Sequence, residues 1–249
     1  VLKTRRFGYD GKGQMVLRFQ EDLERAWQKL GDNELICEGF VAFDTECSII
    51  AARGNGGQTV YWPLTHNLHR DGILAISTAP AFDESLQAYA EVLVRRLLDH
   101  LDYTGVLALE LFLKDDELLA NEFAPRVHNS GHWTIDGACT SQFENHLLAI
   151  CGLPLGDTTC KTPALMFNLL GAMPACAGQP VFDPGTDAAV HWHDYRKTPR
   201  DGRKIGHVTV TTQHEAGLQA RAALLAAELG VSFELNLDAV MQSRNTKAE

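Results

Sequence analysis

The sequence has no surplus of basic residues: 22 Lys and Arg stand against 32 Asp and Glu, a formal net charge of -10. That balance argues against nonspecific binding to nucleic acid or to an anionic membrane, and leaves room for a local basic pocket that takes a small phosphorylated ligand. Nor is there a CxxC pair among the cysteines at positions 37, 47, 139, 151, 160 and 176. Without metal-type spacing or the density of a secreted scaffold, they are expected to be free thiols in a reducing compartment, with no structural disulfide. No apolar run is long enough to span a bilayer and no signal peptide is present, so the expected setting is the cytoplasm. The chain also lacks an initiating methionine and opens on Val1-Leu2-Lys3 inside a strand-like run, so a preceding segment in a longer protein is expected.

What is present, 45% apolar and 22% charged residues over 249 positions, suffices for a large core in one extended domain or two smaller ones. Residues 121 to 137, Asn-Glu-Phe-Ala-Pro-Arg-Val-His-Asn-Ser-Gly-His-Trp-Thr-Ile-Asp-Gly, gather the most chemically able side chains. Glu122 follows the apolar run Leu118-Leu119-Ala120, and Pro125 then forbids ladder pairing and starts an irregular loop. Loops fed by strand ends are where α/β proteins place function.

Near the start, Gly8, Gly11 and Gly13 surround Lys12. Glycines let backbone N–H groups approach phosphate oxygens, and Lys3 and Lys12 can neutralise them. The glycine order is neither the Walker A pattern nor the Rossmann fingerprint, and a hairpin turn without a ligand is the competing reading. Leu17, Leu23, Trp27 and Leu30 predict an amphipathic helix that packs by this face and ends at Gly31. Residues 34 to 43, 46 to 53 and 58 to 62 predict strands of one small antiparallel unit. Glu38 and Glu46 then lie near strand ends, where they either hold a ribose and an adenine edge or are solvated. His66 and His69, ahead of a strand over Ile73 to Ser77, form a His-x-x-His pair with no third ligand at an evident spacing. Leu86, Tyr89, Leu93, Leu97 and Leu101 predict a long helix packed by that stripe.

Val106 to Leu113 and Leu118 to Phe123 are apolar runs joined by Lys-Asp-Asp-Glu, a hairpin signal. If Asp116 is the midpoint of a short odd-numbered loop, Glu110 and Glu122 face each other on one side of the sheet. Opposed carboxylates in an apolar hairpin are destabilising, and a divalent cation resolves the conflict. An all-oxygen donor set, with Asn121 as the third oxygen, suits Mg2+. The competing reading is a register slipped by one residue, with one Glu in solvent.

Ser141-Gln-Phe-Glu144 matches a capping box for a helix with Phe143, Leu147 and Ile150 on its apolar side, ended by Gly152 and Pro154. Residues 160 to 171 and 187 to 193 predict strands of a smaller β-rich lobe. Residues 195 to 204 are the one concentrated basic stretch, either an anion site or a solvated turn at Pro199 to Gly202. Leu218 to Leu229 predicts a closing helix capped by Gly230, and Ser243 to Glu249 a disordered end.

The glycine loop, Glu38 and Glu46, the Glu110/Asn121-Glu122 set and the run Ala-Pro-Arg-Val-His-Asn-Ser-Gly-His-Trp together resemble the ATP-grasp superfamily, and within it the ATP-dependent carboxylases of purine biosynthesis. The likeness runs from Val1 to about His207. It implies an α+β fold of antiparallel sheets with flanking helices. The remainder of a small flap lobe would cover residues 1–57, a large lobe 58–157, a C-terminal β-rich lobe 158–240 and a disordered tail 241–249, with the N-terminal nucleotide-fold domain of relatives missing. It also implies a homodimer using ATP, Mg2+ (or Mn2+), bicarbonate and aminoimidazole ribonucleotide, with carboxyphosphate as the intermediate. By position, Lys3, Gly8, Tyr9, Asp10, Gly11, Lys12, Gly13 and Gln14 would hold ATP phosphates, Glu38 and the backbone near Val41 the adenine, and Glu46 the ribose. Glu110 and Glu122, helped by Asn121, would bind the metal, and Arg126 would steady carboxyphosphate. His128, Asn129 and Ser130 would meet the imidazole substrate, while Lys197 with Arg203 or Lys204 would grip its 5′-phosphate. The alternatives are another ATP-grasp carboxylate-amine ligase, such as a formate-using glycinamide ribonucleotide transformylase, or a silent ATP-binding scaffold.

Overall fold

The computed structural model describes residues 1–6, 12–178 and 187–229. Gly8, Tyr9, Asp10, Gly11, the Gly230 cap and the tail from 241 lie outside them. In the first unit β1 (Leu2–Thr4) is central, flanked by β2 (Gln14–Met15) and, after the helix α1 (Asp22–Leu30), by β3 (Leu35–Cys37). The glycine-rich stretch therefore connects an antiparallel β1–β2 pair, with Lys3 opposite Gln14. Gly13, at φ 76°, accepts the Thr4 N–H at 2.7 Å on its carbonyl.

Helix α1 ends at Gly31 as expected, but not on the expected face. Ala26 and Leu30 are buried, whereas Leu23 and Trp27 are 51% and 67% exposed and border an open apolar groove with Leu2, Leu17, Leu35 and Cys37. Strands of two and three residues are too short to cover a full helical stripe.

The small antiparallel unit expected over residues 34 to 62 does not form. β3 stays with β1, residues 38 to 44 cross over, and Phe43 stacks on Phe112 with ring centroids 4.4 Å apart. Beyond that crossing come β4 (Thr45–Arg53), β5 (Thr59–Tyr61), β6 (Thr65–Arg70), β7 (Ile73–Ala79), α2 (Glu84–His100), β8 (Gly105–Lys114), β9 (Glu117–Ala124), α3 (Thr134–Gly137), α4 (Gln142–Ile150), β10 (Ala164–Gly171), β11 (Ala189–Asp194), β12 (Arg200–Thr211) and α5 (Glu215–Glu228). Among the described residues, nine of these strands make one antiparallel sheet in the order β11-β12-β10-β7-β6-β4-β8-β9, with β5 beside β4. The first unit thus ends before Thr45 rather than at residue 57. The later β-rich stretch is not a separate sheet either, since β10 pairs with β7 and sets Met166 opposite Ser77. His66 to Arg70 are themselves a strand, turned into β7 by Asp71 and Gly72 at φ 52° and 75°.

Strand alternation decides what each face of this sheet does. Cys47, Ile49 and Ala51 of β4, with Leu107, Leu109 and Leu111 of β8, bury against α2. Leu165, Phe167, Val208 and Val210 bury with Leu218, Ala222 and Leu225 of α5. In α2 the buried stripe is Leu86, Ala90, Val94 and Leu98, a four-residue repeat. Tyr89 and Leu101, expected in the core, are 47% and 43% exposed. The opposite face is apolar at one end, where Ile50, Ala52, Ala108 and Met166 pack on Trp133. At its other end Glu122, Glu110, Ser48, Glu46, Asn67 and Ser77 stand side by side across five strands. The six cysteines are free, and among the described residues no helix is long and apolar enough to cross a membrane.

His66 lies on the apolar side, tilted against Phe82 at 6.4 Å between ring centroids. Burial pushes its pKa down to about 4, against a weaker pull upward from Glu46. Since the unfolded value is higher, at about 6.5, the unfolded chain binds more protons between the two, and stability is lost as pH falls through that window. Acidification from pH 7 to 5 should cost roughly 2 kcal/mol through this residue. His69, whose Glu46 hydrogen bond and charge outweigh burial and raise its pKa, acts in the opposite sense. Urea unfolding at both pH values should show a smaller loss in His66→Gln than in the parent; equal losses would contradict the assignment.

Candidate active site

The site begins with a register correction. Asp115 and Asp116, at φ 50° and 63°, form a two-residue turn that sets Lys114 opposite Glu117. Carried on unbroken, that register would pair Glu110 with Asn121 and send Glu122 to the other face. A register shift between Glu110 and Leu111 absorbs Asn121, so Glu110 does stand directly opposite Glu122. The odd-numbered loop was the wrong reason for the right pairing. Burial and then the charge of Glu110 raise the pKa of Glu122. Burial would raise Glu110 too, but the hydrogen bond from His128, with its charge when the ring is doubly protonated, outweighs it and holds Glu110 below the usual range. Two opposed carboxyls, one of them reluctant to ionise, form a donor set that a divalent cation relieves, so the residues fit Mg2+.

His128 lies 2.8 Å from Glu110 Oε1 through Nε2, and a buried polar chain lies behind it. Ser77 Oγ donates to Asn67 Oδ1 at 2.9 Å, Asn67 Nδ2 to Ser48 Oγ at 2.9 Å, and Ser48 Oγ to Ser130 Oγ at 2.7 Å. Ser130 Oγ lies 2.9 Å from His128 Nδ1, which also faces the Ser130 backbone N–H. The donor order leaves Nδ1 as acceptor and places the proton on Nε2, toward Glu110. Ser130, expected against the substrate, is 0% exposed; it touches His128 instead.

Gln142 is a residue that the sequence reading missed. It is fully buried at the start of α4, accepts the His128 N–H at 2.9 Å and donates to the His128 carbonyl at 2.7 Å. The Ser141 cap forms, with Glu144 N at 3.2 Å. The buried side of α4 is Gln142, Asn145 and Ala149, while Leu147 and Ile150 are exposed. Gly131 allows this approach, since a Cβ there would sit 2.2 Å from Ile50 Cδ1 and 2.8 Å from Gln142 Oε1. Gln142→Ala orphans the buried His128 N–H, while the His128 carbonyl keeps the Gly131 N–H at 3.0 Å, and should lower unfolding free energy by about 1–3 kcal/mol in urea titration. A loss under about 0.5 kcal/mol, the range of an ordinary surface substitution, would contradict this role.

Around this centre the remaining candidates fall into two groups. Lys3 Nζ bridges Glu38 Oε2 at 2.7 Å and Asn121 Oδ1 at 3.4 Å, so the first unit meets the hairpin at the bulge. Val41 lies in the crossing segment, and Lys12 and Gln14 are exposed beside β1. Glu46 is partly buried and paired, with His69 Nδ1 at 2.7 Å. On the other side, Asn129 and Asn168 of β10 exchange both amide hydrogen bonds, at 2.9 and 2.7 Å. Arg126 is exposed and donates one Nη1 bond to the Val127 carbonyl at 2.9 Å. Lys197 Nζ is 3.4 Å from the Lys204 carbonyl and Arg203 Nη1 is 3.1 Å from that of Thr198. Lys204 is near enough for its charge to lower Glu110.

A small unit whose lysine reaches over an antiparallel sheet, with paired carboxylates on neighbouring strands of that sheet, is the arrangement of the ATP-grasp class. The ATP-grasp domain model matches residues 1–143, more than half of the chain, and the chain belongs to this family. Residues 164–221 match the C-terminal domain of phosphoribosylaminoimidazole carboxylase. The chain is 51% identical over 227 residues to the N5-carboxyaminoimidazole ribonucleotide synthase of Pseudomonas aeruginosa, covering 91% of this chain and 61% of that protein. The crystal structure of the corresponding synthetase from Thermus thermophilus superposes with a TM-score of 0.83 at 45% identity, covering 94% of this chain and 62% of that one. That of the Aspergillus clavatus enzyme, in complex with ADP and 5-aminoimidazole ribonucleotide, gives 0.81 at 29% identity over 92% of this chain and 62% of its own. The chain thus spans about three fifths of the relatives it matches.

Proposed function

We propose that the chain is the ATP-grasp part of an N5-carboxyaminoimidazole ribonucleotide synthase, which uses ATP and bicarbonate to carboxylate the 5-amino group of aminoimidazole ribonucleotide. The observation that carries this reading is the Glu110–Glu122 rung with His128 against it. Glu110 and Glu122, with Asn121, would hold Mg2+, which when bound neutralises phosphate charge. Lys3, already shared between Glu38 and Asn121, is placed to turn its ammonium to a phosphate oxygen, and residues 8 to 14 are assigned to the phosphates with it. Glu38, the backbone near Val41, and Glu46 take the adenosine.

Transfer of the γ-phosphoryl group to bicarbonate gives carboxyphosphate and ADP. Arg126, with donors to spare beyond its single carbonyl bond, would steady that anion. Its breakdown releases phosphate and CO2, which the amine captures with loss of a proton. His128 and Asn129, each held by an inner partner, orient the imidazole, and Ser130 acts through His128. Lys197, Arg203 and Lys204 offer the positive charge for the 5′-phosphate. No side-chain nucleophile is required. A cytoplasmic homodimer completes the proposal on the family likeness alone, and light scattering on purified protein tests the dimer.

The deciding assay is ATP hydrolysis by the full-length protein. Stimulation by aminoimidazole ribonucleotide with bicarbonate supports the reading. Stimulation only by glycinamide ribonucleotide with formate, or by neither, would overturn it.

A further inference from the structure

A second donor cluster lies on β11 and β12, strands that the ATP site does not account for. His193 and His207 are direct cross-strand partners, with rings stacked 4.2 Å apart at 11°. Asp136 of α3 meets them, its Oδ2 2.9 Å from His193 Nε2 and its Oδ1 3.6 Å from His191 Nδ1. One donor atom from each of Asp136, His193 and His207 lies within 4.8 Å of the other two. His207 is 1% exposed. Its Nδ1 is 2.7 Å from the Tyr195 hydroxyl, and its buried Nε2 has no hydrogen-bond partner among the described residues.

An Asp–His ion pair alone would need no second imidazole stacked on it, and an orphaned buried ring nitrogen is costly. We propose that Asp136, His193 and His207 bind a divalent ion of the Zn2+ or Co2+ class. Imidazole and carboxylate donors suit such ions and disfavour Mg2+, which separates this site from the Glu110–Glu122 rung. Tetrahedral ligands on Zn2+ stand about 3.3 Å apart, so side-chain rotations of about 1 Å close the set, and a water or His191 can take the fourth position. Tyr195 on Nδ1 supplies the outer hydrogen bond that metal-bound histidines require. The ion would tie α3, just beyond the 126–130 loop, to the hairpin that carries Lys197, Arg203 and Lys204.

The test is a Co2+ titration of the chain in saturating Mg2+ with thiols kept reduced, followed by visible absorption and thermal unfolding. The expected result is one equivalent of Co2+ with d–d bands and no thiolate charge-transfer band, displaced by Zn2+, together with a raised unfolding midpoint. His193→Phe, which keeps the ring stack, should abolish the bands, and Asp136→Asn should weaken binding by at least about tenfold. The proposal is overturned by the absence of bands in the parent, by thiolate-dominated bands, or by an unchanged titration in His193→Phe. If that variant fails to fold, an unchanged titration in Asp136→Asn overturns it equally.

Discussion

Glu122→Gln should unfold at a higher temperature than the parent protein while losing Mg2+-dependent turnover. Glu122 faces Glu110 across one rung, and burial and that neighbour raise its pKa. A carboxyl whose folded pKa lies above its unfolded value stabilises the fold only when protonated, and that share is gone by neutral pH. The amide keeps the shape and removes the repulsion, worth about 0.5–1 kcal/mol for a cross-strand like-charge pair. In a chain of this size that is a rise of roughly 1–4 °C. Turnover by the full-length protein should fall at least about 100-fold, as for loss of a preorganised electrostatic contact. Parent-like turnover would remove Glu122 from the metal, and a lowered midpoint would show that the opposed carboxylates are not in conflict.

The second large effect is expected at Asn67, which is 3% exposed and bonds both Ser48 and Ser77. Leucine fills similar space but leaves the buried Ser77 hydroxyl without its Asn67 partner and takes from Ser48 the bond it accepts, leaving it Ser130, which should cost roughly 1–3 kcal/mol. Replacing both serines by alanine in the same chain should recover much of that loss, because removing all partners together is close to neutral. The single variant should also spread His128 over both tautomers by 15N NMR, since Ser48 would no longer be bound to donate toward Ser130. A triple variant no more stable than Asn67→Leu would contradict the chain as drawn.

How far the sequence carried this account depended on what each signal measures. Apolar runs and turn residues placed most strands and helices, because strand existence follows from local composition. Packing faces were less legible: α1, α2 and α4 all bury small or polar residues such as Ala26, Ala90 and Gln142. Their larger Trp27, Tyr89 and Leu147 face outward. A helical stripe gives the period but not which neighbour covers it. The Glu110–Glu122 pairing was legible in outcome only, for a two-residue turn and a bulge cancel and no residue pattern announces the bulge at Asn121. Ser130 shows the opposite limit. Its place in a functional run suggested substrate contact, whereas its partner Ser48 is 82 residues away in sequence and visible only in the fold. Gln142 has no signal at all beyond following a cap.

The central claim is that Glu110 and Glu122 share one ion at the seam between the ATP half and the imidazole half. The most direct measurement is a crystal structure with Mn2+ and a non-hydrolysable ATP analogue, read by anomalous scattering. The account predicts a single peak between the two carboxylates at about 2.0–2.2 Å from an oxygen of each, the range of the smaller divalent ions. It also predicts that His128 stays on the other oxygen of Glu110. A peak on Glu122 or Glu110 alone, or none between them while the nucleotide is bound, would contradict it.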